Sequence, residues 1–344
     1  GYARDKGTIY YNGETVQKQN GDNEVDIKTF EILEGNVARD KNTVYINGID
    51  YPNVDVNTVK IVKSKDDFIN YVKDKNGIYW IGSPDVEANR HYDKETFEDL
   101  GDFFARDKNY IYYFEKPLKF IDKASFKKLS DSYISDKNGI YYLDKIIKGA
   151  DKNSFEIMGW GYAKDKNKAY YINFMDGKDE MVKELKGLNP KNFKVLNRYY
   201  TKDDKKVYFS KDYADIQEVQ NVDVKSFEAL HFENIENKDD FGKDKNKVYL
   251  FGLELKDIKP EKFQVVKEPI TEKIIYVRDE NNLFVIFYDY FSGFNFVEPK
   301  KIENVDFKTL KWKSARELED KNGKYTVNGS VIDEDKIEIK FIKK

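Results

Sequence analysis

The sequence predicts a mainly β protein of tandem repeats, in which each unit is a β-hairpin or small meander with a one-turn capped helix. Three observations support this. A motif based on Asp-Lys-Asn-x-Ile/Val-Tyr occurs ten times, at intervals of 29 to 41 residues. Aromatic and β-branched residues flank the copies, and a second motif follows every hairpin. Such small units bury a core only when stacked, so we expect an elongated, solenoid-like array, with a closed propeller-like ring as the alternative.

The first motif is a turn that organises residues 1–344 as a single array of about ten units. Its Asp, called the motif aspartate below, accepts hydrogen bonds from its own backbone, and the following Asn and Gly tolerate the positive φ that we expect there. A basic residue precedes it in eight copies. We favour a bulged loop, which places this cation over the Tyr of the returning strand; a plain two-residue loop does not. The turns begin at residues 5, 40, 74, 107, 136, 165, 203, 244, 279 and 320.

The second motif, Asp-x-x-Ser/Thr-Phe-Glu-x-Leu, predicts one helical turn with Asp as its N-cap and Phe plugging the core; we call it the capped turn. We expect a strand to follow it, through Leu33 and its equivalents. Clear copies span 26–33, 93–100, 122–129, 151–158 and 223–230.

The connections lengthen after Tyr171. We expect a short helix within 176–188, further insertions at 211–222 and 292–299, and a bend or subdomain boundary near 172–190. Insertions within repeats often map to one face, which is frequently the binding face.

Composition excludes several classes of protein. The 60 basic and 63 acidic residues nearly cancel, so the chain has no electrostatic footprint for nucleic acid. There is no Cys and therefore no disulfide or thiol chemistry. The most apolar run, 283–288, is far shorter than the ~20 residues that span a bilayer. Because the sequence begins without Met, inside a strand, we expect a processed form, and removal of a signal peptide is one way to produce it.

No residue pattern indicates a catalytic, metal or cofactor site. The two His lie at non-equivalent repeat positions, and neither a nucleophile elbow nor a phosphate-binding loop is present. Asp136 and Asn138 are spaced like the start of a Ca²⁺ loop, but Lys137 lies between them and turn chemistry explains both. We therefore expect a protein that is not an enzyme.

The repeated Tyr five residues after each motif aspartate is the feature best suited to binding. If these rings face outward, they form an aromatic stripe for sugars, extended peptides or protein surfaces. The alternative, which the apolar residues on both sides favour, is that they pack between repeats. The predicted binding residues are Tyr79, Trp80, Tyr112, Tyr141, Tyr170 and Tyr208.

The two motifs together, in ten copies over nearly the whole chain, resemble the DKNYY family of bacterial repeat proteins. The copies at Asp203-Asp204-Lys205 and Asp279-Glu280-Asn281 depart from the pattern. The resemblance implies an exported protein of the Gram-negative envelope, periplasmic, surface-attached or secreted, with no established activity. We expect a non-enzymatic binding or scaffold protein with a protein or glycan partner. The alternatives are a hydrolase with an unrecognised carboxylate pair and an immunity or inhibitor protein.

Overall fold

The computed structural model describes the chain except residues 17, 19–24, 66–68, 83–87, 90, 173–180, 212–214, 234–238, 270–272, 290–294 and 332–336. Its described strands form ten small antiparallel sheets in tandem, which confirms the predicted mainly β repeat fold. Their one helix is the 3₁₀ helix Lys123–Ser125, and no described helix is long and apolar enough to cross a membrane. The chain divides into two compact units, Gly1–Lys148 and Gly149–Lys344.

The first unit contains five sheets. Their strands are β1 (Tyr2–Arg4), β2 (Ile9–Tyr11) and β3 (Glu14–Thr15); β4 (Glu31–Glu34), β5 (Val37–Arg39), β6 (Val44–Ile46) and β7 (Ile49–Tyr51); β8 (Lys60–Val62), β9 (Tyr71–Lys73) and β10 (Ile78–Trp80); β11 (Glu98–Gly101), β12 (Phe104–Arg106), β13 (Ile111–Tyr113) and β14 (Lys116–Pro117); and β15 (Lys127–Lys128), β16 (Tyr133–Ser135), β17 (Ile140–Tyr142) and β18 (Lys145–Ile146).

The second unit also contains five sheets. Their strands are β19 (Glu156–Gly159), β20 (Tyr162–Lys164), β21 (Ala169–Ile172) and β22 (Val182–Glu184); β23 (Lys194–Val195), β24 (Tyr200–Lys202), β25 (Val207–Lys211) and β26 (Asp215–Glu218); β27 (Glu228–Ala229), β28 (Phe241–Lys243), β29 (Val248–Leu250) and β30 (Leu253–Leu255); β31 (Gln264–Lys267), β32 (Ile274–Arg278), β33 (Leu283–Asp289), β34 (Asn295–Phe296) and β35 (Lys300–Ile302); and β36 (Lys311–Trp312), β37 (Glu317–Glu319), β38 (Gly323–Asn328) and β39 (Glu338–Lys343).

The hairpin register is that of a plain two-residue loop, so the predicted bulged register is wrong. Arg39 lies opposite Val44, and Tyr45 lies opposite Ala38. The basic residue before the motif aspartate therefore does not lie over the Tyr ring. Arg39 instead forms an ion pair with Glu31 on the neighbouring strand, at 2.6 Å.

The Asp side chain stabilises the motif turn. The expected positive φ at the Asn and Gly of this turn is not found, so that expectation is wrong. Oδ1 of Asp40 accepts the N–H groups of Asn42 at 2.7 Å and Thr43 at 2.9 Å. The left-handed residues lie instead in the next turn of the sheet, where Asn47 has φ 54° and Gly48 has φ 78°. The Asn-Gly signal therefore marks the second turn correctly.

Successive sheets within a unit pack face to face, and this buries both sides of the hairpins. Val37, Val44 and Ile46 point to one face of their sheet, where they pack against Val72 and Tyr79 of the next hairpin. The core is thus a series of small apolar layers between neighbouring repeats, as stacked repeats require.

The predicted capped turn is present, but it belongs to the hairpin that follows it. Oδ1 of Asp26 accepts the N–H of Thr29 at 3.1 Å, and β4 follows directly, as expected. β4 then pairs with β5 of the next hairpin. A capped turn therefore opens a sheet, whereas the sequence interpretation placed it at the end of the preceding unit.

The expected helix within 176–188 is not found in its described part. Val182–Glu184 forms β22, which pairs with β21. Residues 173–180 lie outside the described residues, as do parts of the insertions at 211–222 and 292–299. The bend or boundary near 172–190 stays a prediction.

Candidate functional site: an exposed aromatic cluster

The two sequence motifs interlock through the motif aspartate, as the fourth sheet illustrates. Oδ1 of Asp107 accepts the N–H groups of Asn109 and Tyr110 at 2.7 and 2.8 Å. Oδ2 accepts the hydroxyl of Tyr112 at 2.9 Å and the N–H of Asp93, the capping residue, at 2.8 Å. Burial opposes the charge on Asp107, but these hydrogen bonds outweigh it and lower its pKa.

The same pattern recurs along the chain. Nine motif aspartates are buried, at 1–6% exposure, and each accepts an N–H from the first residue of a capped turn at 2.5–3.4 Å. They are Asp40, Asp74, Asp107, Asp136, Asp165, Asp203, Asp244, Asp279 and Asp320.

The other consensus residues also connect the two motifs. Lys108 forms an ion pair with Asp93 at 2.6 Å, and its N–H donates to Oγ1 of Thr96 at 2.9 Å. The Lys108 ammonium and the Thr96 hydroxyl lower the pKa of Asp93 to about 2. Arg106 pairs with Glu98 at 2.5 Å. These contacts give the consensus residues a structural role.

The predicted Tyr stripe is not a surface, so the outward-facing alternative is wrong. Exposure is 8% or less for Tyr79, Tyr112, Tyr141, Tyr170 and Tyr208. The first four donate their hydroxyls to motif aspartates at 2.8–3.2 Å. The rings of Tyr79, Tyr112, Tyr141 and Tyr208 lie in apolar layers between stacked sheets, because this repeat position faces the preceding sheet. The structure does not bring these side chains together at one place on the surface.

Trp80 is the one predicted binding residue that remains partly exposed. Its ring meets Phe114 edge to face, with centroids 6.2 Å apart. Phe114 stacks on Phe103, at 4.2 Å and an interplanar angle of 14°, and contacts Tyr113 at 4.8 Å. Phe103 and Phe114 are 43% and 41% exposed. We call Trp80, Phe103, Tyr113 and Phe114 the aromatic cluster.

The topology of the hairpins brings this cluster together. Phe103 follows β11 and Phe114 follows β13, so both lie at the end of the sheet opposite the Asp-Lys-Asn turn. The N–H of Phe114 donates to the carbonyl of Phe103 at 3.1 Å. Trp80 ends β10 in the preceding sheet, at the repeat position that Tyr113 occupies in this one.

The backbone beneath the cluster is strained. Phe103, Phe114 and Glu115 have φ values of 65°, 41° and 64°, in the left-handed region that β-carbons disfavour by about 1–2 kcal/mol per residue. The turn equivalent to 114–115 is Asn47-Gly48 in the second sheet. Strain of this kind is often found at functional sites.

Polar groups border the cluster without entering it. Glu115 is half-buried, and burial raises the pKa of its carboxyl. Asp102 pairs with Lys128 at 2.5 Å. A β-carbon at Gly82 would lie 2.1 Å from the Trp80 ring, so this glycine is what lets the indole lie over its backbone.

The described residues contain no group of three or more His, Cys, Asp or Glu side chains placed to hold a metal ion. Of the two histidines, His91 is exposed, and His231 bonds Asp239 through Nδ1 at 2.7 Å.

Sequence reasoning found Trp80 but missed Phe103 and Phe114, and it treated the two motifs as separate elements. Two signals were available. Phe114 and Glu115 stand where the first two repeats carry Asn12-Gly13 and Asn47-Gly48, so large side chains occupy a slot that has positive φ. In six repeats the capping residue also precedes the motif aspartate by 14 residues, and the two residues are hydrogen-bonded in the fold. A spacing that is the same in so many repeats indicates that the two residues contact each other.

A family model described as the DKNYY family matches residues 2–145, 133–183 and 200–343. No curated protein and no solved structure matches the chain.

Proposed function

The chain belongs to the DKNYY family, and we propose that it is a non-enzymatic binding protein that recognises a protein partner through the aromatic cluster. One observation carries the proposal: the stacked pair Phe103 and Phe114 is both exposed and held on strained backbone. Exposed aromatic rings that a fold retains at a cost in stability are typical of interaction sites.

The chemistry of the cluster favours a protein over a glycan partner. Trp and Tyr are enriched among interface hot spots, and Phe is enriched in interface cores, because large rings bury much area with little loss of rotamer entropy. Sugars additionally require polar groups beside an aromatic face. The two carboxylates beside the cluster are Asp102, which is paired with Lys128, and Glu115, which is half-buried.

The second part of the proposal is location at the bacterial envelope or surface. Its support is the resemblance to exported repeat proteins described above. Fractionation of cells that produce the natural protein tests it directly: recovery in the cytosolic fraction alone would contradict this placement.

Site-specific photo-crosslinking tests the partner. A photoreactive phenylalanine analogue is placed at Phe103 and, as the control, at Ile146, which is 46% exposed in the same unit. We expect a discrete protein adduct from position 103 that position 146 does not give. The adduct should disappear when Trp80→Ala is added.

Two results would contradict the proposal. Equal adducts from positions 103 and 146 would show a nonspecific apolar contact. Absence of a protein adduct, together with glycan binding that Phe114→Ser abolishes, would replace the protein partner with a carbohydrate. A Phe103→Ser/Phe114→Ser variant should keep the thermal midpoint of the parent, so loss of binding would not reflect unfolding.

A further inference from the structure

A cavity of about 480 Å³ opens in the second compact unit, between the sheet β23–β26 and the sheet β27–β30. Its volume lies within the range of about 300–1,000 Å³ that is typical of small-molecule sites. The residues at the end of β26 and the turn from β29 to β30 form its walls. None of the residues of the aromatic cluster lines it, so it is a separate candidate for binding.

The floor of the cavity is aromatic and closely packed. Phe209 and Phe251 are 2% and 4% exposed, and their ring centroids lie 6.4 Å apart. A β-carbon at Gly252 would lie 2.6 Å from Cβ of Phe209, so a side chain there would displace Phe209 from the turn. The N–H of Gly252 donates to the Tyr200 hydroxyl at 3.1 Å, which fixes the turn. Leu253 is 49% exposed and adds an apolar rim to this preformed floor.

One wall of the cavity comes from a lengthened connection between the two motifs. The capping residue Asp223 follows Tyr208 by 15 residues, whereas Asp122 follows Tyr112 by only 10. The extra length belongs to the insertion at 211–222, and insertions within repeats often map to the binding face. Three amide side chains of this insertion line the cavity, those of Gln217, Gln220 and Asn221.

These amides are placed to bond a ligand above the aromatic floor. Gln217 lies directly opposite Phe209 in the β25–β26 pair, so both side chains are on the same face of the sheet. Nε2 of Gln220 donates to the carbonyl of Glu218 at 3.0 Å, which leaves its Oε1 as an acceptor. Within the described part of the chain, no hydrogen bond occupies the side chains of Gln217 and Asn221. A primary amide both donates and accepts hydrogen bonds, as a hydroxyl group does.

The charges at the cavity are already compensated. Glu218 pairs with Lys206 at 2.7 Å, and Glu254 pairs with Lys247 at 2.6 Å. Among the described residues, no Lys or Arg lines the cavity. An anionic ligand would therefore find no cation in the lining, and a cationic ligand would compete with two lysines for the carboxylates. The lining selects an uncharged ligand with groups that both donate and accept hydrogen bonds.

We propose that this cavity binds an uncharged pyranose sugar. The C–H face of the sugar ring packs on Leu253 and the aromatic floor, and the hydroxyls exchange hydrogen bonds with the amides of Gln217 and Asn221 and with Oε1 of Gln220. A pyranose combines an apolar face with neighbouring hydroxyls and carries no charge, which matches the floor, the amide wall and the compensated carboxylates. This inference does not rest on the proposed function, which concerns a protein partner at the aromatic cluster.

Nuclear magnetic resonance of the whole chain, labelled with ¹⁵N at glutamine alone, observes the site directly. The sequence contains five Gln. Gln217 and Gln220 line the cavity, and Gln264 is exposed on β31 of the same unit and serves as the internal control. The probes are glucose, galactose, mannose, N-acetylglucosamine and N-acetylgalactosamine, each titrated separately. At least one should shift the side-chain amide signals of Gln217 and Gln220 saturably and leave Gln264 unchanged, with a millimolar Kd because a single sugar has few atoms.

Variants test the role of the amides. Gln217→Ala removes one amide, and Asn221→Gly removes another while it keeps the left-handed backbone at φ 54°. The double variant should weaken sugar binding at least about tenfold, with the Gln220 signal as the readout. Both positions are exposed, so the thermal midpoint should stay that of the parent. The matched control Gln264→Ala, and Phe114→Ser at the aromatic cluster, should leave sugar binding unchanged.

Three results would overturn the proposal. The first is no saturable shift of Gln217 and Gln220 with any of the five sugars up to about 20 mM. The second is tighter binding of glucuronate or glucosamine than of the neutral sugars, because the site would then recognise charge. The third is sugar binding that Phe114→Ser abolishes and the double variant keeps, which would move the sugar to the aromatic cluster.

Discussion

Replacing a buried motif aspartate by asparagine tests how the two motifs hold the fold together. In Asp107→Asn the remaining oxygen can still accept the N–H groups of Asn109 and Tyr110, so the turn itself is kept. The new NH₂ group replaces Oδ2. It faces the N–H of Asp93 and the hydroxyl of Tyr112.

The size of the effect follows from these contacts. The Tyr112 hydroxyl can rotate and accept from the NH₂ group, but the Asp93 N–H cannot. The variant therefore loses a hydrogen bond to a charged acceptor, which contributes about 1.5–3 kcal/mol, and leaves a donor unsatisfied in a 4%-exposed site. Part of the second penalty overlaps the first, so we expect a loss of about 2–4 kcal/mol in the free energy of unfolding.

Asp5→Asn is the matched control. It makes the same chemical change in the same motif, but Asp5 is exposed and accepts no N–H from a capped turn among the described residues. We expect its urea midpoint to equal that of the parent. The assay is urea unfolding combined with residue-resolved hydrogen exchange, because repeats open locally as well as globally. In Asp107→Asn the amides of β11–β14 should lose protection first.

One result would refute this reasoning. If Asp107→Asn and Asp5→Asn shift the midpoint equally, the bond from the capped turn to Oδ2 adds nothing, and the turn chemistry alone accounts for the motif. An unchanged midpoint in both would also mean that the interlock of the two motifs does not stabilise the fold.

Three further outcomes follow from the same contacts. Phe227 is 3% exposed and packs between Tyr200 and Tyr249, so Phe227→Ala should lower the free energy of unfolding by about 3–5 kcal/mol. Phe341 is 41% exposed, so Phe341→Ala should lower it much less; urea titration of both variants measures the difference. The pKa of Asp107 lies below its usual value, so its contribution to stability should be complete above about pH 4 and be lost as the pH falls through the lowered value, which acid unfolding monitored by circular dichroism will show. Burial and the hydrogen bond to its motif aspartate raise the pKa of Tyr79 to about 12; the stability that it contributes should persist below about pH 10 and be lost through pH 12, and absorbance at alkaline pH should show the buried tyrosines forming phenolate only as the fold opens. Phenolate formation by buried tyrosines near pH 10 in the folded protein would contradict the last of these.

Much of the fold could be predicted from the sequence because the same local signals occur in ten repeats. The turn residues, the caps, the apolar positions on both faces of the hairpins and the family are local or periodic properties. The errors arose where one residue changes the outcome. A single-residue difference in loop length decides whether the Arg before the motif aspartate meets a Tyr ring or a Glu carboxylate, and Arg39 meets Glu31.

The candidate site was largely beyond sequence reasoning. Burial of the repeated tyrosines depends on the neighbouring sheet that covers them, and that sheet comes from residues about a repeat away. The contact between Phe103 and Phe114 exists because antiparallel pairing returns the chain to the same end of one sheet.

The sequence by itself determined that this protein is a β repeat array with an aspartate-anchored turn in every unit, since those signals lie within a few residues of each other. Only the tertiary structure decided which aromatic rings are core and which are surface. It also decided that the capped turn belongs to the hairpin after it, and that the first hairpin has none among the described residues. The physical reason is that exposure and hydrogen-bond partnership are properties of the stack, which forms between segments distant in the chain.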